Sequence, residues 1–387
     1  MTSALPPAVQ NPDRVGPLQS KGFEQLYAFA GPAGSGPAGL TSMGTALYGT
    51  ATGGGTNSDG TVFVRGVSGK VRVLHNFAGG TDGSQPEGNL VELNGVLYGT
   101  TEYGGANNDG TVFSVTSAGA EKVLYSFKGG MDGATPMLAG LLVADGALYG
   151  TTNAGGDPSC HYQDIVGCGT VFKVTTAGNE RVLYRFRGRP DGACPSSWLI
   201  DVNGVLYGTT NFGGTYDNGS VFQLPASGKE SALYSFKGYP DGAMPVAGLT
   251  AVSGTFYGTT ALGGAYDDSG TVFALTPSGT ESVLHSFQGA PDGALPYAGL
   301  TASGGVLYGT TEYGGNTEEA CIGRGIVGCG TIYAITPSGG ITILYRLRGD
   351  KNGANPFAGL VSAGDSLYGT TFAGGSADDG TIFQIAP

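Results

Sequence analysis

A five-residue string, LYGTT or a close variant, recurs along the whole chain and limits the possible folds more than any other feature of the sequence. Its tyrosines are separated by 50, 51, 58, 50, 51 and 60 residues. They are Tyr48, Tyr98, Tyr149, Tyr207, Tyr257, Tyr308 and Tyr368. Each copy follows an AGL-type segment and precedes a GG-containing loop, a GTVF segment, a TPSG-like turn and a VLYSF segment. Such self-similarity is typical of repeat architectures, in which similar supersecondary units pack side by side.

Each repeat is predicted to form four short strands. Its apolar runs are rich in aromatic and β-branched residues and end at Gly, Asp, Asn or Pro, which favours strands joined by tight turns. In the copy that contains Tyr149, the predicted strands are 141–144, 147–152, 170–175 and 181–186. The 74 glycines among 387 residues exclude a helical solenoid, because each glycine inside a helix would cost about 1 kcal/mol.

The two ends of the chain indicate a closed ring. The repeat register begins with a VLYSF-type fourth strand at 26–29 and ends with a third strand at 380–385. The first strand can therefore complete the last sheet and leave no open edge. We predict an all-β fold, a seven-bladed β-propeller with four antiparallel strands per blade, closed by the N-terminal strand. The propeller covers 23–387, and 1–22, rich in Pro and polar residues, is predicted to be a flexible tail.

The segments LYGTT, GG, GTVF and TPSG, in this order and at this spacing, resemble the bacterial choice-of-anchor tandem repeat family, also called the GloVer repeat. The resemblance covers about residues 23–387. It implies an extracellular protein with one of several C-terminal anchors, and it implies no particular activity. The last predicted strand is followed directly by Pro387, so this sequence does not itself predict surface anchoring.

Charge and hydropathy exclude two classes of partner. The formal net charge of −12 would repel the phosphates of a nucleic acid. No run approaches the roughly 18 apolar residues of a membrane-spanning helix, and the N-terminus has no apolar signal core. We expect a monomer without a cofactor.

Five cysteines indicate the compartment. Cys160 and Cys168 have the same spacing as Cys321 and Cys329, and we predict a disulfide within each pair. Paired cysteines favour an oxidising compartment, so we expect a secreted or periplasmic protein. Cys194 has no partner in this pattern and is predicted to be a buried thiol.

Metal binding is the alternative for the two cysteine loops. His161 would offer a third zinc ligand in the first loop, but the second loop has no histidine. We therefore predict no metal there. His75 and His285 stand at the tyrosine position of VLYSF, where an aromatic packing role is expected.

The crossover motif DGAxP contains an aspartate in most copies. We predict that these aspartates cap their own turns through hydrogen bonds to the backbone. A ring of calcium ligands is the alternative, but the sequence has no DxDxDG-type loop. The aspartates are Asp82, Asp132, Asp191, Asp241 and Asp292.

One face of the ring is predicted to carry function. The outer-to-inner crossovers and the GG loops fall on the same face, here called the long-loop face, whereas the opposite face has only tight turns. Binding residues concentrate on loops that a rigid scaffold holds in place. A ligand is therefore expected on the long-loop face, near the central channel.

Positions that differ between repeats are free to form a site. Glu102-Tyr103 and Glu312-Tyr313 follow LYGTT in two copies, where they offer carboxylates and aromatic rings, although surface variation would give the same pattern. The inner Pro-x-Ala-Gly-Leu segment is broken twice, by Glu87 and Asn89 in one blade and by Ser196 and Trp198 in another. Trp198 replaces a glycine near the axis, where it either fills the channel or faces a ligand. The candidate site residues are Glu87, Asn89, Glu102, Tyr103, Arg189, Trp198, Glu312 and Tyr313.

Three functions compete on these observations. The first is a non-catalytic propeller that binds a glycan or a protein at the bacterial surface. The second is a carbohydrate-active enzyme, a polysaccharide lyase or glycosidase, with Glu102, Tyr103, Glu312 and Tyr313 as candidate catalytic residues. The third is a structural exoprotein. The scarcity of histidine and the absence of a metal motif favour binding over hydrolysis.

Overall fold

The computed structural model describes residues 22–138, 140–266, 268–317, 321 and 327–387. These residues form seven four-stranded antiparallel sheets, arranged as the blades of a closed propeller, and two short two-stranded sheets. The predicted seven-bladed fold is confirmed. The predicted flexible tail lies outside the described residues, except for Gly22 at its end.

The first four blades follow one another along the chain. Strand β1 (Glu24–Ala28) precedes blade 1, which contains β2 (Ser35–Met43), β3 (Ala46–Gly53), β4 (Thr61–Arg65) and β5 (Val71–Asn76). Blade 2 contains β6 (Val91–Leu93), β7 (Val96–Thr101), β8 (Thr111–Thr116) and β9 (Glu121–Ser126). Blade 3 contains β10 (Leu142–Ala144), β11 (Ala147–Thr152) and, after a loop hairpin of β12 (His161–Tyr162) and β13 (Ile165–Val166), β14 (Thr170–Thr175) and β15 (Glu180–Arg185). The crossover strand β16 (Gly192–Ala193) leads to blade 4, with β17 (Ile200–Val202), β18 (Val205–Thr210), β19 (Phe212–Gly213), β20 (Ser220–Pro225) and β21 (Ser231–Ser235).

The last three blades complete the ring. Blade 5 contains β22 (Thr250–Val252), β23 (Thr255–Thr260), β24 (Thr271–Leu275) and β25 (Glu281–Ser286). Blade 6 contains β26 (Thr301–Ser303), β27 (Val306–Thr311), β28 (Thr331–Ile335) and β29 (Ile341–Arg346). Blade 7 contains β30 (Val361–Ala363), β31 (Ser366–Thr371), β32 (Thr381–Ile385) and, as its outer strand, β1. Single 3-10 turns lie at Gly31–Ala33 and Gly130–Asp132.

The N-terminal strand closes the ring as predicted. β1 pairs antiparallel with β32, with Glu24 opposite Gln384 and Ala28 opposite Thr381. The backbone N–H of Phe29 extends this pairing by donating to the carbonyl of Gly380 at 2.9 Å. The two chain ends therefore share one sheet, which leaves no open edge in blade 7.

Two glycine positions explain why the repeat motifs are so regular. In blade 2, a Cβ on Gly99 of LYGTT would lie 2.7 Å from the ring of Phe113, because the third-strand aromatic packs directly over the second strand. Gly110 of GTVF has φ +94°, and a Cβ there would lie 2.5 Å from the ring of Pro136 in the next blade. The equivalent contact between Gly380 and Pro37 links blade 7 to blade 1. The repeated glycines thus allow strand and blade backbones to approach closely.

Aromatic contacts connect neighbouring blades within the core. Phe77 of blade 1 meets Phe113 of blade 2 edge to face, with ring centroids 5.1 Å apart, and both rings are fully buried. Phe29 makes the same contact with Phe63 at 4.9 Å across the closure between blades 7 and 1. Each such pair contributes roughly 0.5–1.5 kcal/mol beyond its buried area. Hydrophobic burial between neighbouring blades therefore helps to hold the ring together.

An aromatic–aspartate pair fixes five of the crossovers at the outer rim. The hydroxyl of Tyr125 donates to Asp132 at 2.7 Å, and the same carboxylate accepts the backbone N–H of Lys128 at 2.9 Å. The four other predicted aspartates also accept a backbone N–H from four residues earlier in the chain, so the capping prediction is confirmed.

The two rim histidines replace tyrosine in this arrangement. Nε2 of His75 lies 3.1 Å from Asp82, and Nε2 of His285 lies 2.9 Å from Asp292. The His75 ring packs edge-on against Phe77, with centroids 4.8 Å apart. The expected aromatic packing role is confirmed.

Candidate functional site

The long loops lie on one face, as the repeat pattern predicted. In six blades the crossover that enters the blade forms a short antiparallel bridge with the loop that follows the second strand. Five of these bridges join Ser84 to Tyr103, Ala134 to Ala154, Ala243 to Leu262, Ala294 to Tyr313 and Ala354 to Ala373. In blade 4 the bridge is the pairing of β16 with β19. The residues after LYGTT are therefore held rigidly beside the crossovers rather than left on mobile loops.

The first residue after LYGTT points inward. Glu102 is only 7% exposed, and its backbone N–H donates to the carbonyl of Gln85 in the crossover at 3.0 Å. Asn153 and Asn211 are buried at the same position in blades 3 and 4. The differences between blades 2, 3 and 4 at the first position after LYGTT are therefore differences between buried side chains, and not variation of an exposed surface.

Glu87 and Glu102 form a buried carboxyl pair in blade 2. The pKa of Glu87 is raised to about 8, mainly by burial and then by the charge and hydrogen bond of Glu102, against a smaller lowering by the backbone N–H of Leu138. Glu87 is thus protonated at neutral pH, and its O–H donates a hydrogen bond to Glu102. Its Oε2 atom is buried and has no hydrogen-bond partner among the described residues.

Tyr103 adds a hydroxyl to this pair. Its hydrogen bond to Glu102 is the largest of the effects that raise its pKa to about 12, followed by burial and by the charges of Glu102 and Glu87. Tyr103 therefore keeps its proton at neutral pH and acts as a hydrogen-bond donor.

A cleft of about 510 Å³ opens over Glu102 and Tyr103, between blades 2 and 3. Its far wall is the loop of blade 3 that the Cys160–Cys168 disulfide closes. Cys321 and Cys329 form the second disulfide in blade 6, so both predicted pairings are confirmed. The described residues that line the cleft include Asp109, Met137, Asn153, Pro158, Asp164, Ile165 and Val166.

Trp198 occupies the propeller axis. Its indole lies so close to Gly248 and Gly299 of blades 5 and 6 that a Cβ on either glycine would overlap the ring. Trp198 also lines a small central cavity of about 40 Å³ together with Glu87 and Asn89. The ring therefore fills most of the channel and leaves one side exposed to this cavity.

Blade 6 repeats the acidic–aromatic pair with different neighbours. Burial raises the pKa of Glu312 to about 7, and a hydrogen bond with Tyr313 opposes that rise. The charge of Glu312 acts on Tyr297, which lines the central cavity beside Phe357, with ring centroids 5.2 Å apart. The carboxyl neighbour of Glu102 is Glu87 of the same blade.

Two other candidates lie apart from these cavities. Arg189 is exposed on its crossover, where it donates to the carbonyl of Thr215 at 3.0 Å. Cys194 is fully buried, and burial raises its pKa to about 12. The prediction of a buried free thiol is confirmed.

Several site residues were not identified from the sequence. Tyr297 and Phe357 occupy the variable position of Pro-x-Ala-Gly-Leu, and the variation between copies was the signal that could have found them. Asp164 lies within the blade 3 insertion, which has no counterpart in most repeats, so repeat comparison offered no signal for it.

Comparisons with known proteins agree with the fold. The chain matches the Gloeobacter/Verrucomicrobia repeat over residues 16–163 and 141–323. No curated protein sequence matches it significantly. Among solved structures, a puromycin hydrolase is similar at 11% identity and a TM-score of 0.51, covering 88% of this chain and 50% of the hydrolase.

Two further solved structures are more distant. A structure titled a putative gluconolactonase has 11% identity and a TM-score of 0.44, covering 94% of this chain and 91% of its own. A gluconolactonase from Xanthomonas campestris has 13% identity and a TM-score of 0.40, covering 76% and 89%. At these identities the similarity concerns the fold alone. The described residues include no helix that is long and apolar enough to cross a membrane.

Proposed function

This chain belongs to the Gloeobacter/Verrucomicrobia repeat family, and we propose that it binds a glycan in the cleft between blades 2 and 3 on its long-loop face. The observation that carries the proposal is the position of Glu102, a nine-tenths buried carboxylate at the floor of a cleft of about 510 Å³. This volume is within the usual range of ligand sites.

The chemistry of the cleft suits sugar hydroxyls. None of the described lining residues is Lys or Arg, so Glu102 accepts hydrogen bonds without a neighbouring cation to compete for it. Tyr103 donates its O–H to Glu102 and can accept a hydrogen bond through its phenolic oxygen. The Asn153 amide can both donate and accept, and Met137 and Ile165 offer apolar surface for the C–H face of a pyranose ring. A buried acidic pair lowers the stability of the fold, and proteins typically keep such unfavourable groups where a functional site needs them.

The same geometry favours binding over glycoside hydrolysis. Glycosidases hold their two carboxyl groups about 5–5.5 Å apart, or farther if they invert the anomeric centre. Glu87 and Glu102 are hydrogen-bonded to each other and are therefore closer than that. Tyr103, whose pKa is raised to about 12, would be a poor base at neutral pH.

We also propose that the protein works outside the cytoplasm, in the periplasm or at the cell exterior. Support comes from the two disulfides, Cys160–Cys168 and Cys321–Cys329, since disulfides persist mainly in oxidising compartments. The first of them closes a wall of the cleft, so reduction should weaken ligand binding as well as stability.

A glycan-array screen of the full chain, followed by calorimetric titration of the best ligand, tests the proposal. Glu102→Gln should weaken binding at least about tenfold, equivalent to about 1.4 kcal/mol. Glu312→Gln is the matched control, because it changes the equivalent residue of blade 6 and should leave the affinity unchanged. Equal effects of both variants, or no array ligand at all, would contradict a cleft between blades 2 and 3. Cleavage of the bound glycan would instead establish the enzymatic alternative.

A further inference from the structure

His75, Asp82 and Glu121 meet at the outer rim, and none of the three lines the cleft or the central cavity. His75 belongs to β5 and Asp82 to the crossover that follows it, whereas Glu121 begins β9 of the next blade. One donor atom from each residue lies within 4.8 Å of the other two. The cluster therefore joins blades 1 and 2 through an imidazole and two carboxyl groups.

The cluster is already oriented by its surroundings. The backbone N–H of Ala78 donates to Oδ2 of Asp82 at 2.8 Å, and edge-on packing against Phe77 fixes the His75 ring. Oε1 of Glu121 is buried and has no hydrogen-bond partner among the described residues. Supporting contacts of this kind hold metal ligands in place.

The other repeats show what is special at this position. Blades 2, 3 and 4 have tyrosine in place of His75, and each faces a glutamate of the next blade. Blade 5 has the histidine–aspartate pair, His285 and Asp292, but Ile341 occupies the position equivalent to Glu121. Within the described part of the chain, the three donors come together only between blades 1 and 2.

We propose that His75, Asp82 and Glu121 bind a divalent first-row transition-metal ion that links blade 1 to blade 2. One imidazole and two carboxylates are a donor set that Zn²⁺ accepts, with water in the remaining position. Mg²⁺ prefers oxygen ligands alone and should bind weakly. This site is independent of glycan binding.

Titration of the chelator-treated full chain with ZnCl₂, by calorimetry and by thermal melting at pH 7.5, tests the proposal. We expect one Zn²⁺ per chain and a raised melting temperature. His75→Tyr should weaken Zn²⁺ binding at least about tenfold, and it should fold because it introduces the residue that most other repeats have there. Glu121→Gln should have the same effect. His285→Tyr is the matched control and should leave Zn²⁺ affinity unchanged.

Three results would overturn the assignment. The first is that the unmodified chain shows no saturable Zn²⁺ binding. The second is that His75→Tyr and Glu121→Gln bind Zn²⁺ as tightly as the unmodified chain does. The third is that His285→Tyr abolishes Zn²⁺ binding. Mg²⁺ binding as tight as that of Zn²⁺ would contradict the choice of metal class.

Discussion

The contacts between neighbouring blades at the outer rim fall into two groups. From blade 1 to blade 5, four successive junctions bury a glutamate against the aspartate of the preceding blade. These glutamates are Glu121, Glu180, Glu230 and Glu281. From blade 5 back to blade 1, the described residues at the same position are apolar, namely Ile341, Phe23 and Val71. Phe23, for example, stacks on Tyr345 with ring centroids 3.9 Å apart.

This comparison shows that one backbone arrangement accommodates two kinds of contact, of which only one responds to pH. In the acidic junctions, burial is the main cause that raises the glutamate pKa values to between about 7 and about 8, and the facing aspartates add to it. The apolar junctions contain no such group among the described residues. At the outer rim, stability should therefore depend on pH mainly through the acidic junctions.

Deletion of residues 1–30 should have the largest effect, because it breaks the apolar side. It removes β1 from blade 7 and Phe23 from Tyr345, which opens the ring. We expect the melting temperature, measured by calorimetry, to fall by many degrees. Deletion of residues 1–20 is the control and should melt like the full chain; equal melting of both deletions would contradict closure by β1.

Trp198→Ala should have the next largest effect, since the indole of blade 4 packs against blades 5 and 6, where the acidic side meets the apolar side. We expect a loss of about 3–5 kcal/mol in the free energy of unfolding, as for other emptied aromatic sites. Glycan affinity should not change, because Trp198 lines the central cavity and not the cleft. Loss of binding without loss of stability would instead place the ligand at the axis.

Stability should fall as pH rises from about 4.5 to about 8. The four rim glutamates have folded pKa values of about 7 to 8, above the ordinary value of 4.5. Glu87 and Glu312 shift in the same direction. Between these values the folded chain binds more protons than the unfolded chain, so unfolding becomes easier as pH rises and then levels off. Melting temperatures across this range check the sign, and a higher value at pH 8 than at pH 5 would contradict it.

A fourfold Glu→Gln variant assigns that pH dependence to the acidic junctions. With Glu121, Glu180, Glu230 and Glu281 replaced, the decrease between pH 5 and pH 8 should become shallower, because neutral amides cannot titrate. Glu92→Gln, at an exposed position of β6, is the control and should leave the slope unchanged. An unchanged slope in the fourfold variant would place the titrating groups elsewhere.

Tyr333→Phe should have the smallest effect. Tyr333 is fully buried at the third-strand position that is phenylalanine in the other six blades, and its hydroxyl has no partner among the described residues. Removal of an unpartnered buried hydroxyl should be neutral or stabilising, within about 1 kcal/mol. Chemical denaturation of the two proteins checks this, and a clear destabilisation would reveal a partner for the hydroxyl.

The strands were largely predictable because they depend on local pattern. In blade 3, the predicted second and third strands match β11 and β14. The predicted first strand begins one residue before β10, and the predicted fourth strand is displaced by one residue from β15. The disulfides were predictable for a similar reason, since a separation of eight residues brings each cysteine pair together within one loop.

The sequence by itself determined the blade count, the ring closure, the turn caps and the face that carries the long loops, because each follows from spacing that repeats along the chain. Only the tertiary structure decided which repeats meet through space. It paired Glu102 with Glu87, placed Arg189 outside the cavities and brought Glu121 to His75 and Asp82. The physical reason is that these contacts join residues from different strands or blades, and their energies depend on burial and on distances that residue spacing does not encode.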